Sequence, residues 1–191
     1  MLTITQSISS RFVKLSQLVL TAVSASVISL AAVPSTSLAA GADGSYRVTG
    51  GSGSFTAGGE TAKIPKSLFS EIAKNQAAGI VVQNQKIKIN RQMTEALFKS
   101  LAQDSGITIH PKVTGPSYFT FVPAGDHFAG KTLQPIVTKF SGFEDGEKFS
   151  VTVKTYVSAT VKGDSLTLVT RFTATDGADK LSGTITLLGR R

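Results

Sequence analysis

The chain has 191 residues, no cysteine, no tryptophan and a formal net charge of +8. The lack of cysteine excludes disulfides, thiolate nucleophiles, cysteine-ligated metals and a lipid anchor on an amino-terminal cysteine. Basic residues are scattered from Arg47 to Arg191, with Lys86, Lys88 and Arg91 the densest group. That spread points to solubility and weak attraction to anionic surfaces, and away from nucleic acid, which calls for a basic face on a recognisable module.

Residues 1–39 carry Arg11 and Lys14, then the apolar run Leu18 to Val33, then the small-residue stretch PSTSLAA. This is the order of a secretory signal peptide, with Ser37 and Ala39 at the positions a signal peptidase reads. The apolar run has sixteen residues, short of the roughly 20 that a membrane-spanning helix needs. The expected organisation is a signal peptide over 1–39 and a single secreted domain over 40–191, placed in the periplasm or outside the cell, with no membrane span after cleavage.

The mature chain opens on a glycine-rich stretch in which Tyr46 and Val48 start a strand. The glycines between Gly50 and Gly59 weaken it, and the reading there is a flexible lead-in or hairpin loop, or a loop approached by a ligand. Ile64, Leu68, Ile72 and Ala73 then recur at helical spacing, with Pro65 suited to the first turn, which predicts a helix over about 65–77. Asn90 is a good N-cap and Met93, Leu97 and Leu101 share one face, which predicts a second helix over about 91–104 ending at Gly106. The phrase Leu68-Phe69-x-x-Ile72-Ala73 returns as Leu97-Phe98-x-x-Leu101-Ala102, each followed by a Gly-Ile pair and a β-branched run, the pattern of a short duplication.

From Tyr118 the period changes to two. Phe149, Val151, Val153, Val157, Ala159 and Val161 alternate with polar residues, and Leu166 to Ala174 and Leu181 to Leu187 do the same. Asp145-Gly146, Lys162-Gly163-Asp164 and Asp176-Gly177 are hairpin signals between these runs. Shorter strands are expected near 117–123 and 131–141. The predicted fold is α+β: a curved antiparallel sheet of about six to eight strands, ending in a meander and packed on two short helices.

The strand over 149–161 would measure about 43 Å, whereas helices of some thirteen residues reach only about 20 Å. Two such helices cannot cover the apolar face of the sheet. That face must curl on itself, hold a ligand or meet another chain.

Gly125 to Thr132 reads GDHFAGKT and matches the phosphate-loop pattern G-x-x-x-x-G-K-(S/T). A phosphate loop needs a helix beginning at its lysine, and LQPIVTKF places Pro135, Ile136 and Val137 where that helix would run. The segment is instead expected to connect the strand ending at Val122 with one starting near Leu133, leaving Lys131 solvated. His110 and His127 would form a metal site only if joined by Asp126 or Glu144, and His110-Pro111 reads as a strand end. No serine lies in a nucleophile elbow or beside a lysine at the needed spacing, while two carboxylates can converge from any separation, so catalysis stays open. The sequence assigns no catalytic residue, cofactor or metal.

Tyr118, Phe119, Phe121, Phe128, Phe140 and Phe143 lie close together in sequence and are the candidate lining of an apolar pocket between strands and helices. The functional expectation is an exported non-catalytic binding domain that carries a lipid or other apolar ligand there. A structural or adhesive cell-envelope module, whose sheet face or edge is covered by another protein subunit, is the alternative. An enzyme of unassigned class is the third.

Overall fold

A computed structural model describes residues 41–74, 79–104, 108–144, 147–177 and 179–191. The expected signal peptide, the end of the first helix and the Asp145-Gly146 turn lie outside the described residues. Thirteen elements follow in chain order: β1 (Gly44–Ala57), β2 (Glu60–Lys63), α1 (Lys66–Lys74), β3 (Gly79–Gln83), β4 (Lys86–Lys88), α2 (Arg91–Asp104), β5 (Thr108–Thr114), β6 (Tyr118–Ala124), β7 (His127–Lys131), β8 (Ile136–Glu144), β9 (Glu147–Lys162), β10 (Ser165–Asp176) and β11 (Asp179–Arg190).

The fold is mostly antiparallel sheet with two short helices. The sheet has 11 strands, more than the six to eight expected. The surplus comes from segments too short or too glycine-rich to show a period: β2, β4 and β7.

The strand order is β10-β11-β1-β3-β4-β6-β7-β9-β8-β5, and β9 also pairs with β10. That extra pairing closes β1, β3, β4, β6, β7, β9, β10 and β11 into a ring. The long β9 makes this possible, because β10 lies along one of its edges while β7 and β8 share the other. Phe128 to Lys131 of β7 pair with Ser158 to Val161, and Ile136 to Glu144 of β8 pair with Glu147 to Thr155. The apolar face therefore curls on itself, the first of the three outcomes open to it.

An eight-stranded ring is just wide enough for side chains to fill. Tyr46, Ile80, Ile87, Phe121, Leu166, Leu168 and Leu187 fill this one, all fully buried. Burial on this scale contributes about 1.5–3 kcal/mol per large side chain. Beyond the ring, β1, β11, β10 and β9 continue into an open sheet edged by β2 and by β8–β5, with α1 packed on β1 and α2 on β5.

The strand expected from Tyr46 runs on through the glycines to Ala57, and the hairpin loop is confined to Gly58 and Gly59, which turn β1 into β2. Register shifts between Val48 and Gly50, and the extra residue of this bulge changes which side chains point inward. Tyr46 and Val48 face the core before it, whereas Gly51 and Gly53 face it after, beneath Phe69 and Ile64. Pro111, expected near a strand end, sits inside β5. It is tolerated because β5 is an edge strand that, among the described residues, pairs only with β8. The two repeated phrases lead into different surroundings: β3 joins the ring, while β5 ends the open sheet.

Candidate functional site

Successive residues of a strand point to opposite faces, so the outward set of β6, β7 and β9 forms a surface of its own. Tyr118, Thr120 and Val122 of β6, Ala129 and Lys131 of β7, and Ser158 and Thr160 of β9 line a groove of about 910 Å³. Pro116, Ser117 and Arg91, the first residue of α2, form one wall, and Thr132 to Gln134 form the other.

That second wall exists because β7 and β8 are two halves of one long partner of β9, broken at Thr132 to Pro135. Pro135 has no N–H for the ladder, and Thr132 takes over the pairing at the break. Its N–H donates to the Val157 carbonyl at 2.9 Å and its Oγ1 accepts from the Val157 N–H at 3.1 Å. Leu133 is left projecting, 85% exposed. Across it lies a smaller hollow of about 410 Å³, lined by Tyr156, Val157 and Arg171 and sharing Lys131, Thr132, Leu133 and Ser158.

The charges are of one sign. Arg91, Lys131 and Arg171 are the ionised side chains of the two hollows, and neither lining contains a carboxylate. The Arg91 Nη2 donates to the Gly115 carbonyl, while its Nε is buried and finds no acceptor among the described residues. A buried donor without a partner costs about 1–3 kcal/mol. At the edge of the groove the Lys86 Nζ stands 4.8 Å from the centroid of the Tyr118 ring, a cation–π contact.

The six aromatic residues picked from the sequence divide by strand parity. Phe119, Phe121 and Phe140 are buried in the core, with the Phe119 and Phe121 rings 5.8 Å apart. Phe128 is half-buried and packs against that core. Tyr118 and Phe143 point outward, Phe143 on β8 beside Thr108 and Lys148. The groove thus takes Tyr118 and Phe119 from the six. Sequence reasoning misses Arg91, Leu133 and Lys131 as lining residues, and the signal that could find Leu133 is the TLQP break between two β-forming runs.

GDHFAGKT forms the β6–β7 hairpin. Ala124 pairs with His127 across the turn, Gly125 has φ 69°, and Val122–Ala129 and Phe121–Gly130 continue the ladder. The strand after the turn thus starts at His127, earlier than expected. Gly130 serves packing: a Cβ there would stand 3.0 Å from the Phe119 ring and 2.8 Å from the Thr120 carbonyl. Lys131 sits in the groove wall.

At the turn, Asp126 accepts from the Lys162 Nζ at 2.5 Å and lies 3.1 Å from the His127 Nδ1. The hydrogen bond from Lys162, and then that with His127, lower its carboxyl pKa to about 2. His110 is remote from this cluster. It pairs through Ser141 to Ser150, while Phe128 pairs with Val161, a separation of roughly 35 Å along β9. Among the described residues no group of three or more His, Asp or Glu side chains could hold a metal ion.

Family models, curated proteins and solved structures provide no match to this chain. No helix among the described residues is long and apolar enough to cross a membrane.

Proposed function

We propose that the protein is an exported, non-catalytic binding domain that carries a lipid or similar amphiphile in the groove on the outer face of β6, β7 and β9. The observation that carries this reading is the pairing of an apolar floor with cations alone: Tyr118, Val122 and Ala129 beside Arg91 and Lys131, with no carboxylate in the lining. An aliphatic chain would lie along the floor. Its carboxylate or phosphate would reach Arg91 and Lys131, where charge-assisted hydrogen bonds are the strong ones.

The sheet edges favour this reading over a structural or adhesive module. β2 is four residues long and carries Glu60 and Lys63, features that blunt edge pairing. On β5 the Val113 N–H donates to the Glu95 carboxylate of α2 at 2.7 Å, which occupies an edge donor a partner strand would need. Export rests on residues 1–39, and amino-terminal sequencing of the exported product should begin after Ala39.

Native mass spectrometry after gentle purification, with titration of a fluorescent fatty acid, tests the reading. Binding is expected, abolished by Val122→Glu and weakened about ten-fold by Lys131→Ala. Lys131→Ala should leave stability within about 0.5 kcal/mol, as for most surface changes. A protein that arrives ligand-free and binds no probe overturns the proposal.

A further inference from the structure

Leu133 is the most exposed large apolar side chain among the described residues, and it does not stand alone. Tyr118 and Val122 lie across the larger hollow on one side and Tyr156 across the smaller on the other, each about half exposed. Arg91, Lys131 and Arg171 surround them. Apolar side chains flanked by tyrosines and set among cations match the layers of a bilayer surface, where aromatic rings sit at headgroup level and cations meet phosphates.

The tip is also held in place. The paired hydrogen bonds between Thr132 and Val157 fix one end of the break. At the other end Gly115 approaches so closely that a Cβ there would stand 2.6 Å from the Pro135 carbonyl. Little ordering is needed to present Leu133, which lowers the cost of docking.

We propose that this face docks on an anionic lipid bilayer, with Leu133 entering the boundary between headgroups and acyl chains and Arg91, Lys131 and Arg171 meeting lipid phosphates. Charge complementarity selects this occupant: a second copy of the chain would bring the same cations against one another. The inference shares the groove with the carrier reading but does not require a ligand inside it. Together the two describe a groove that opens toward the membrane from which its lipid would come.

Cosedimentation with vesicles of phosphatidylcholine, alone or mixed with phosphatidylglycerol, is the test, run at low and high salt. The protein is expected to bind the mixed vesicles and to lose binding as salt rises. Arg171→Ala should weaken vesicle binding about five-fold, the worth of one cation near such a surface. It should leave fatty-acid binding intact, since Arg171 lines only the smaller hollow. Leu133→Ser should weaken vesicle binding about ten-fold, with the circular dichroism spectrum unchanged, while Leu188→Ser, an exposed leucine on β11, should have no effect. Absence of binding to the anionic vesicles, or equal binding by Leu133→Ser, overturns the proposal. So does a protein whose self-association is lost in Leu133→Ser, which would make the patch an interface between copies. Vesicle binding without fatty-acid binding would overturn the carrier reading alone, and the reverse result would overturn docking alone.

Discussion

The ring of Phe69 occupies the space in which a side chain at Gly51 would stand. A Cβ there would lie 2.6 Å from the Phe69 Cδ1 and 2.5 Å from the Thr186 carbonyl oxygen. Helix α1 is thereby seated on β1 through an aromatic ring laid against bare backbone, a device that offsets the weak strand preference of glycine. Gly51→Ala is expected to cost about 1–3 kcal/mol through overpacking, and Phe69→Ala about 3–5 kcal/mol through the cavity it leaves. Urea denaturation of both single variants and the double variant should show less than additive loss, because removing the ring relieves part of the clash.

The β3–β4 hairpin turns on Asn84 and Gln85, with φ 52° and 55°. Two consecutive residues in this region mark the turn type that favours Asn-Gly. The Asp43 carboxylate secures it, accepting from the Asn84 N–H at 2.9 Å and the Gln85 N–H at 2.6 Å. Gln85→Gly should stabilise the protein by about 0.5–1 kcal/mol, since a side chain in the left-handed region costs about 1–2 kcal/mol. Asp43→Ala should destabilise it by about 1–3 kcal/mol. Thermal unfolding midpoints moving in opposite directions would verify both.

Arg191 ties three segments together. Its guanidinium carbon stands 5.4 Å from the Tyr46 ring centroid, and its Nη atoms donate to the Asp43 carbonyl at 2.8 Å and the Gly163 carbonyl at 2.7 Å. Burial raises the pKa of the Tyr46 phenol, and the charge of Arg191 opposes that shift. Arg191→Ala is expected to cost about 1–2 kcal/mol and Arg191→Lys about half as much, since lysine keeps the charge and loses the planar fork. Equal stability of all three proteins in denaturant titration would refute this role.

Asp126 provides a pH signature. Its folded-state pKa of about 2 lies below the ordinary 3.8, mainly because of Lys162. A depressed carboxyl contributes stability that is present above the ordinary value and is lost as pH falls through the folded one. The window is therefore between about pH 4 and pH 2. Following the side-chain carboxyl by NMR should place its midpoint below the usual range. Lys162→Met should return it most of the way, and His127→Ala by less.

The sequence alone was enough for the meander. Alternation in Phe149 to Val161 and Leu166 to Ala174, with turns at Gly163 and Gly177, reappears as β9, β10 and β11, because side-chain alternation and turn conformation are local properties. Both helices were legible for the same reason. The closure of the ring was not. It depends on which edge of β9 receives β7, a choice made by hydrogen bonds between residues some thirty positions apart that leaves no mark on either strand. The glycine-rich second half of β1 was hidden because Gly51 and Gly53 are strand residues only once Phe69 and Ile64 lie over them. The site followed the same division. Proximity in sequence grouped Tyr118 with Phe119 and Phe121, although the pleat sends Tyr118 to the outer face and its neighbours to the core. Only tertiary pairing brings Tyr118 beside Lys131, Ser158 and Arg91, since a groove across three strands and a helix start is a property of their register and not of any one segment.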